Sequence, residues 1–160
     1  YLELNRDVDV VGSWIEEFED LNKPVKIIKY PTAHKDMLIF FKKRDPLAHP
    51  SVMFRKSFFK KSGLYNESLS KDQDTELWLK GFDGGAIFAN IDKPLLKFRK
   101  NSTTLSRRKD RKRLYIFLKL RFKIIKKLNF GILSYFYAIL YISIQIMPVR
   151  LTNFIYKYFR

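Results

Sequence analysis

The pattern of apolar and polar positions predicts an α/β arrangement for the first hundred residues. Short runs rich in β-branched and aromatic residues, bounded by turn-forming residues, are typical of strands. Such runs lie at 8–11, 25–30, 51–54 and 86–91. The small residues Gly12 and Ser13 predict a turn that ends the first strand, and the third run predicts a buried strand. A helix near 74–80 is predicted between the third and fourth strands, because acidic residues that favour a helix start come just before Leu77, Trp78 and Leu79.

The last third of the chain has a different pattern. Residues 107–127 are predicted to form a basic amphipathic helix, because apolar side chains recur at i, i+3 and i+4. These side chains are Leu114, Phe117, Leu118, Phe122 and Ile125. Residues 128–147 contain no charged residue, and this length approaches the roughly 20 residues that span a bilayer. The pattern leaves three arrangements open: a helix across the membrane, a helix lying in the headgroup region, or a helix packed on the protein.

The charge of the chain divides at the same place. The 160 residues carry a net charge of +16 and contain no cysteine, which excludes disulfides and thiolate chemistry. Residues 1–92 hold 14 Lys/Arg and 15 Asp/Glu, whereas residues 93–160 hold 18 Lys/Arg and the single acid Asp110. This asymmetry indicates an anionic partner, either a nucleic acid or a membrane surface.

Acidic residues gather where the helix before Trp78 is predicted to begin. Asp72 and Asp74 lie near its start, where a carboxylate accepts hydrogen bonds from free N–H groups and is favoured by the helix dipole. Asp74, Trp78 and Gly81 are spaced i, i+4 and i+7, so they share one helix face. This pattern alone admits a structural role as helix caps beside a role in chemistry.

Two short motifs in this region resemble the acceptor-side half of the family 2 glycosyltransferases, which are inverting enzymes of the GT-A type. The family motif G-x-Y-[DN]-E is matched by residues 63–67, and the family helix [DE]-L-W-L-[RK] is matched by residues 76–80. The acidic pair of the family falls on Gln73 and Asp74, so Gln replaces the first acid. The resemblance runs from about residue 2 to about residue 106.

The resemblance implies a set of site residues. Asp74 takes the position of the catalytic base, and Trp78, one turn further on, is expected to form a floor for a sugar ring. Acceptor contacts are predicted for His49, Asp72, Gln73 and Trp78. Arg99 precedes a loop of small polar residues, and its guanidinium group suits a diphosphate. Each of these two residues also has a structural alternative. His49 would then have only a structural role, and Arg99 would simply end an edge strand beside a loop.

The resemblance also implies the fold. Residues 1–106 are expected to form the acceptor-side part of a Rossmann-like GT-A domain with a mixed α/β sheet, followed by a helical basic and apolar segment at 107–160. The D-x-D loop and the nucleotide-binding strand of the family have no match. The chain is therefore expected to lack the donor-binding half and to be inactive alone. A divalent metal, Mg or Mn, is expected in the full-length enzyme, with no ligand in this chain.

The implied function is transfer of a sugar from a nucleotide-sugar donor to a saccharide or lipid-linked acceptor in cell-surface polysaccharide biosynthesis. The basic segment then predicts attachment to the cytoplasmic face of the cell membrane, peripherally or through a single helix. The alternative is a basic nucleic-acid-binding module, or a membrane-surface module without enzymatic activity. Tyr115, Phe117 and Phe122 would be the stacking groups of a nucleic-acid binder. Because the sequence has no recognisable nucleic-acid-binding motif, a nucleic-acid partner is not expected.

Overall fold

The computed structural model describes residues 1–19, 26–69, 71–99 and 111–146, and it divides into two compact units, Tyr1–Ser102 and Thr103–Arg160. The start of the predicted strand 25–30, the small polar loop 100–106 and residues 147–160 lie outside the described residues. The predicted boundary after residue 106 lies there too, so it stays a prediction.

A mixed sheet of four strands forms the centre of the first unit, and its central strand is β1 (Val10–Phe18). β2 (Lys26–Ile28) and β3 (Met53–Phe54) pair with β1 in antiparallel orientation, and β4 (Phe88–Arg99) pairs with it in parallel. β4 pairs with β1 along the whole length of β1 and occupies one of its edges. β2 and β3 therefore both lie on the other edge of β1. The described residues therefore confirm the expected α/β class and mixed sheet.

β1 continues through Gly12 and Ser13, so the turn predicted there is wrong. A Cβ atom on Gly12 would lie 2.5 Å from both Asn90 Oδ1 and Leu47 Cδ2. Glycine is needed here because neighbouring side chains approach the strand closely, and this is a common reason for glycine inside a strand.

Two other strands differ from the sequence prediction in extent. The predicted buried strand 51–54 is reduced to the two residues of β3, and Met53 is 64% exposed, so the prediction of burial is wrong. β4 begins at Phe88, two residues into the predicted strand 86–91, and its 12 residues extend past Pro94 to Arg99. Its register against β1 shifts on both sides of Trp14, where β4 contributes extra residues. Bulges of this kind accommodate proline in a strand.

The described part of the first unit contains three α-helices: α1 (His34–Phe41), α2 (Phe58–Ser62) and α3 (Gln73–Asp83). The helix predicted at 74–80 is thus confirmed as α3. Buried aromatic rings from all three helices and β4 meet in one cluster, formed by Phe41, Phe58, Trp78, Phe82 and Phe88. Phe82 stacks on Phe88 with ring centroids 4.0 Å apart, so the cluster holds α3 over the first residues of β4.

The second unit contains the helices α4 (Arg111–Lys127) and α5 (Leu133–Ile146). Ring contacts between Phe117 and Tyr141 (5.3 Å) and between Phe122 and Tyr135 (5.0 Å) show that the two helices form an antiparallel hairpin. The turn contains Asn129 and Gly131 in left-handed conformation, so the uncharged run 128–147 begins in a turn rather than a helix. Within the described ranges, no helix is long and apolar enough to cross a membrane.

Candidate active site

The N-terminus of α3 presents the carboxylate of Asp74. Asp74 Oδ1 accepts a hydrogen bond of 2.9 Å from the backbone N–H of Thr75, one of the N–H groups that the helix leaves free. Asp72 stands at the N-cap with φ 57° and ψ 26°, a left-handed conformation in which Asp is enriched, and its side chain makes no capping hydrogen bond. Of the two acids predicted at the helix start, Asp74 therefore binds the helix N–H groups.

Tyr65 is hydrogen-bonded to His49 and lies within electrostatic range of Asp74. A hydrogen bond of 2.9 Å joins the Tyr65 hydroxyl to His49 Nε2. Burial of the phenol and the nearby Asp74 carboxylate raise the pKa of Tyr65 above its usual value. Both effects keep the Tyr65 hydroxyl protonated at neutral pH. The structure thus brings together the predicted residues Asp74 and His49, and it adds Tyr65, which the site prediction missed although it is the aromatic residue of the matched G-x-Y-[DN]-E turn.

The loop that carries His49 is fixed to the sheet on both sides. His49 begins a 3-10 helix (His49–Ser51), and Ser51 Oγ accepts the N–H of Ser13 in β1 at 3.1 Å. The buried side chain of Asn90 in β4 donates to the carbonyl oxygen of Pro46 at 2.9 Å. These bonds hold the loop, while His49 itself remains exposed.

Trp78 lies beneath this site. Its ring has no exposed surface. The centroid of this ring lies 5.9 Å from that of His49, 5.8 Å from that of Phe54 and 6.2 Å from that of Phe88. A fully buried ring offers no face to a sugar, so the expectation that Trp78 forms the floor of an acceptor site is wrong for this structure. Trp78 instead supports the His49 ring from the protein interior.

The remaining predicted site residues take different positions. Gln73 is exposed, and its side-chain amide donates to the backbone carbonyl of Leu69. Thr75 Oγ1 donates to Asp45 Oδ2 at 2.7 Å, which ties the start of α3 to the loop that precedes His49. Asp72 is partly exposed next to Asp74, so both Asp72 and Gln73 border the start of the helix.

Arg99 lies far from this group of residues. β4 runs from Phe88 opposite Val10 to Arg99 opposite Phe18, and at about 3.3 Å per residue the two ends of β1 are on the order of 25 Å apart. The Arg99 guanidinium lies over the Phe18 ring at 5.4 Å. The structure therefore does not bring Arg99 together with Asp74, and its assignment to a diphosphate stays a prediction without support from the described residues.

Comparison with known proteins identifies several glycosyltransferases as relatives. The chain is 36% identical over 109 residues to the UDP-Gal:alpha-D-GlcNAc-diphosphoundecaprenol beta-1,3-galactosyltransferase of Escherichia coli, a match that covers 68% of the chain and 39% of that protein. It is 32% identical to an uncharacterized glycosyltransferase of Methanocaldococcus jannaschii, over 91% of the chain and 51% of that protein. It is 27% identical to the amylovoran biosynthesis glycosyltransferase AmsE of Erwinia amylovora, over 98% of the chain and 59% of that protein.

The chain therefore spans about two fifths to three fifths of the length of these relatives. No family model matches the chain, and no solved structure matches it significantly. The matches to the Methanocaldococcus jannaschii and Erwinia amylovora proteins cover nearly the whole chain and therefore include Asp74. These matches support the identification of the chain as part of a glycosyltransferase.

Proposed function

We propose that the chain is the acceptor-side part of an inverting family 2 glycosyltransferase of the GT-A type, and that Asp74 is its general base. The observation that carries this proposal is the meeting of Asp74, Tyr65 and His49 at the N-terminus of α3. A carboxylate, a phenol and an imidazole can bind the hydroxyl groups of a sugar. The similarity to curated glycosyltransferases provides the reaction class.

In the proposed reaction, the Asp74 carboxylate accepts the proton of an acceptor hydroxyl as its oxygen attacks the anomeric carbon of the donor. The bond between the acceptor oxygen and the anomeric carbon forms on the face opposite the leaving nucleoside diphosphate, and the bond to that diphosphate breaks. The configuration of the anomeric carbon is therefore inverted. Tyr65 and His49 position the acceptor, since the Tyr65 hydroxyl can both donate and accept a hydrogen bond.

A divalent cation, Mg or Mn, would neutralise the leaving diphosphate in such an enzyme. Within the described ranges, no group of three or more His, Cys, Asp or Glu residues could hold a metal ion. The acidic and histidine residues of the described ranges therefore do not form a metal site, and none of them is assigned to the cation.

We propose a nucleotide-sugar as donor and a saccharide or lipid-linked sugar as acceptor, in cell-surface polysaccharide biosynthesis. The names of two relatives support this choice: the Escherichia coli enzyme uses UDP-Gal and a diphosphoundecaprenol-linked sugar, and the Erwinia amylovora enzyme takes part in amylovoran biosynthesis. A lipid-linked acceptor requires the enzyme to work at a membrane, which favours the cytoplasmic face of the cell membrane as its location.

Substitution of Asp74 tests the proposal in the complete enzyme. Asn keeps an oxygen for the Thr75 N–H but cannot accept a proton, so Asp74→Asn preserves the helix start and removes the base. We expect sugar transfer to fall about 100- to 10,000-fold while binding of the nucleotide-sugar is retained. Transfer of radiolabelled sugar to a lipid extract and equilibrium binding of the donor measure the two effects.

Asp83→Asn is the matched control, because Asp83 lies exposed at the opposite end of the same helix. It is expected to leave transfer unchanged. A turnover close to wild type in the Asp74→Asn enzyme would remove the assignment and make Asp72 the next residue to test.

A further inference from the structure

The helix α5 is apolar on both its buried and its exposed face. Its buried side includes Ala138 and Ile142. The opposite side is exposed, and its residues at i, i+3, i+4 and i+7 form a continuous outer face. These are Leu133 (70% exposed), Phe136 (64%), Tyr137 (53%) and Leu140 (56%), which we call the outer face of α5.

Such a face requires a partner. A helix that is apolar all round is normally buried on all sides, either in a protein core or in a membrane. The run 128–147, which includes α5, has no charged residue. Contiguous exposed apolar surface of this kind marks an interaction site, whereas single exposed apolar residues do not.

Positive charge lies next to this face. Residues 111–146 contain eight Lys/Arg and no Asp/Glu. Lys119, Lys123 and Lys126 are exposed on α4, and Lys126 lines the same groove as Ile132 and Phe136. The surface of the hairpin therefore combines cationic groups with insertable apolar groups, the two signals that together give stable attachment to a lipid surface.

We propose that the outer face of α5 inserts into the surface of an anionic lipid bilayer and that the lysines of α4 bind its headgroups. Over the described residues, α5 has 14 residues and is about 21 Å long, shorter than the roughly 30 Å hydrocarbon core, and this length favours a helix that lies in the interface. This inference concerns residues other than those of the candidate active site, and its test does not depend on the proposed reaction.

The same contacts argue against the nucleic-acid alternative. Phe117 and Phe122, two of the three predicted stacking groups, already pack on Tyr141 and Tyr135 within the hairpin. Tyr115 is 69% exposed, whereas Phe117 and Phe122 are partly buried by these contacts. A nucleic acid would also leave the apolar outer face of α5 in water.

Flotation of the whole chain with vesicles tests the proposal. The probes are vesicles of phosphatidylcholine alone and vesicles with about one third phosphatidylglycerol, each at about 50 mM and about 500 mM NaCl. We expect binding to the anionic vesicles at low salt and only partial release at high salt, because apolar insertion is not screened.

The double substitution Phe136→Ser and Leu140→Ser should lower the partition coefficient more than tenfold at both salt concentrations. Each of the substitutions Lys119→Gln, Lys123→Gln and Lys126→Gln should lower it about fivefold, at low salt only.

The matched controls are Leu95→Ser and Lys97→Gln, which change exposed residues of β4 and should leave vesicle binding unchanged. Circular dichroism checks that each variant remains folded. Failure of the intact chain to float with anionic vesicles at low salt would overturn the proposal. Unchanged vesicle binding by the Phe136/Leu140 double variant would also overturn it. The same holds if the wild-type chain forms a dimer that this variant abolishes, or if the chain binds single-stranded RNA in preference to vesicles.

Discussion

The two histidines of the chain show how strongly the surroundings of a residue decide its role. His49 is exposed and hydrogen-bonded to Tyr65, in the candidate site. His34 begins α1, is half-buried, and its ring packs against that of Phe82 with the ring centroids 5.5 Å apart. The backbone N–H of Phe88 donates to His34 Nδ1 at 3.1 Å. This bond requires an unprotonated Nδ1, so His34 is a neutral part of the core between α1 and β4.

A pH dependence of stability follows for His34. Burial lowers the pKa of His34 below its usual 6.5, so the folded state favours the neutral ring. The stabilisation is complete above the unfolded pKa and is lost as the pH falls through the lower, folded pKa. We expect the free energy of unfolding to decrease between about pH 7.5 and about pH 5.5, in urea titrations followed by tryptophan fluorescence.

Asn at position 34 keeps an acceptor near the position of Nδ1 but does not titrate. His34→Asn should therefore flatten this part of the pH profile. An unchanged slope in the His34→Asn protein would mean that other groups cause the dependence.

At the scale of elements, the candidate site depends on how β1 and β4 hold the loop before His49. Asn90 is 2% exposed, and its side-chain amide donates to the carbonyl oxygens of Pro31 (2.7 Å) and Pro46 (2.9 Å). One residue of β4 thus fixes both the segment leading into α1 and the segment leading to His49. Gly12 contributes by leaving room for the Asn90 side chain against β1.

Removal of this amide should destabilise the first unit and disturb the site. Asn90→Ala leaves the buried carbonyl oxygen of Pro46 and the partly buried one of Pro31 without this donor, and we expect it to lower the free energy of unfolding by about 2–3 kcal/mol. Urea unfolding followed by tryptophan fluorescence measures this loss. Asp92→Ala, at an exposed residue two positions further along β4, is the control and should change stability by less than about 0.5 kcal/mol. If Asn90→Ala lowered the free energy of unfolding no more than the Asp92→Ala control does, the two hydrogen bonds would contribute little to stability.

At the scale of the whole molecule, the two compact units differ sharply in charge. Residues 1–92 are nearly neutral, whereas every charged residue from 111 onward is basic. Like charges repel one another within α4, and this repulsion destabilises a compact unit until salt screens it.

Salt should therefore stabilise the two units unequally. Both tryptophans, Trp14 and Trp78, belong to the first unit, so their fluorescence reports its unfolding, while circular dichroism also reports the helices of the second. We expect an increase from about 50 mM to about 500 mM NaCl to raise the urea midpoint of the helical signal of α4 and α5 and to leave the fluorescence midpoint nearly constant. A rise of equal size in both signals would contradict this expectation.

The extent of the strands shows where sequence patterns fail at the element scale. Gly12 predicts a turn because glycine usually marks one, but in the structure it lies inside β1, next to Asn90 and Leu47. Pro94 also lies inside a strand, and the irregular register beside Trp14 accommodates it within β4. Neither outcome can be predicted locally, because each depends on a neighbouring strand that is distant in sequence.

The sequence by itself determined the α/β class, α3, the helix of the basic segment and the position of Asp74 at a helix start. These features depend on local periodicity and on helix-capping preferences, which act over a few residues. Only the tertiary structure decided that Trp78 is buried, that Arg99 lies at the far end of β4, and that Tyr65 is hydrogen-bonded to His49 and lies near Asp74. It also decided that the uncharged run 128–147 starts in a turn and leaves one face of α5 exposed. These features depend on contacts between residues far apart in the chain, and on how much apolar surface each element finds to pack against, which no local pattern specifies.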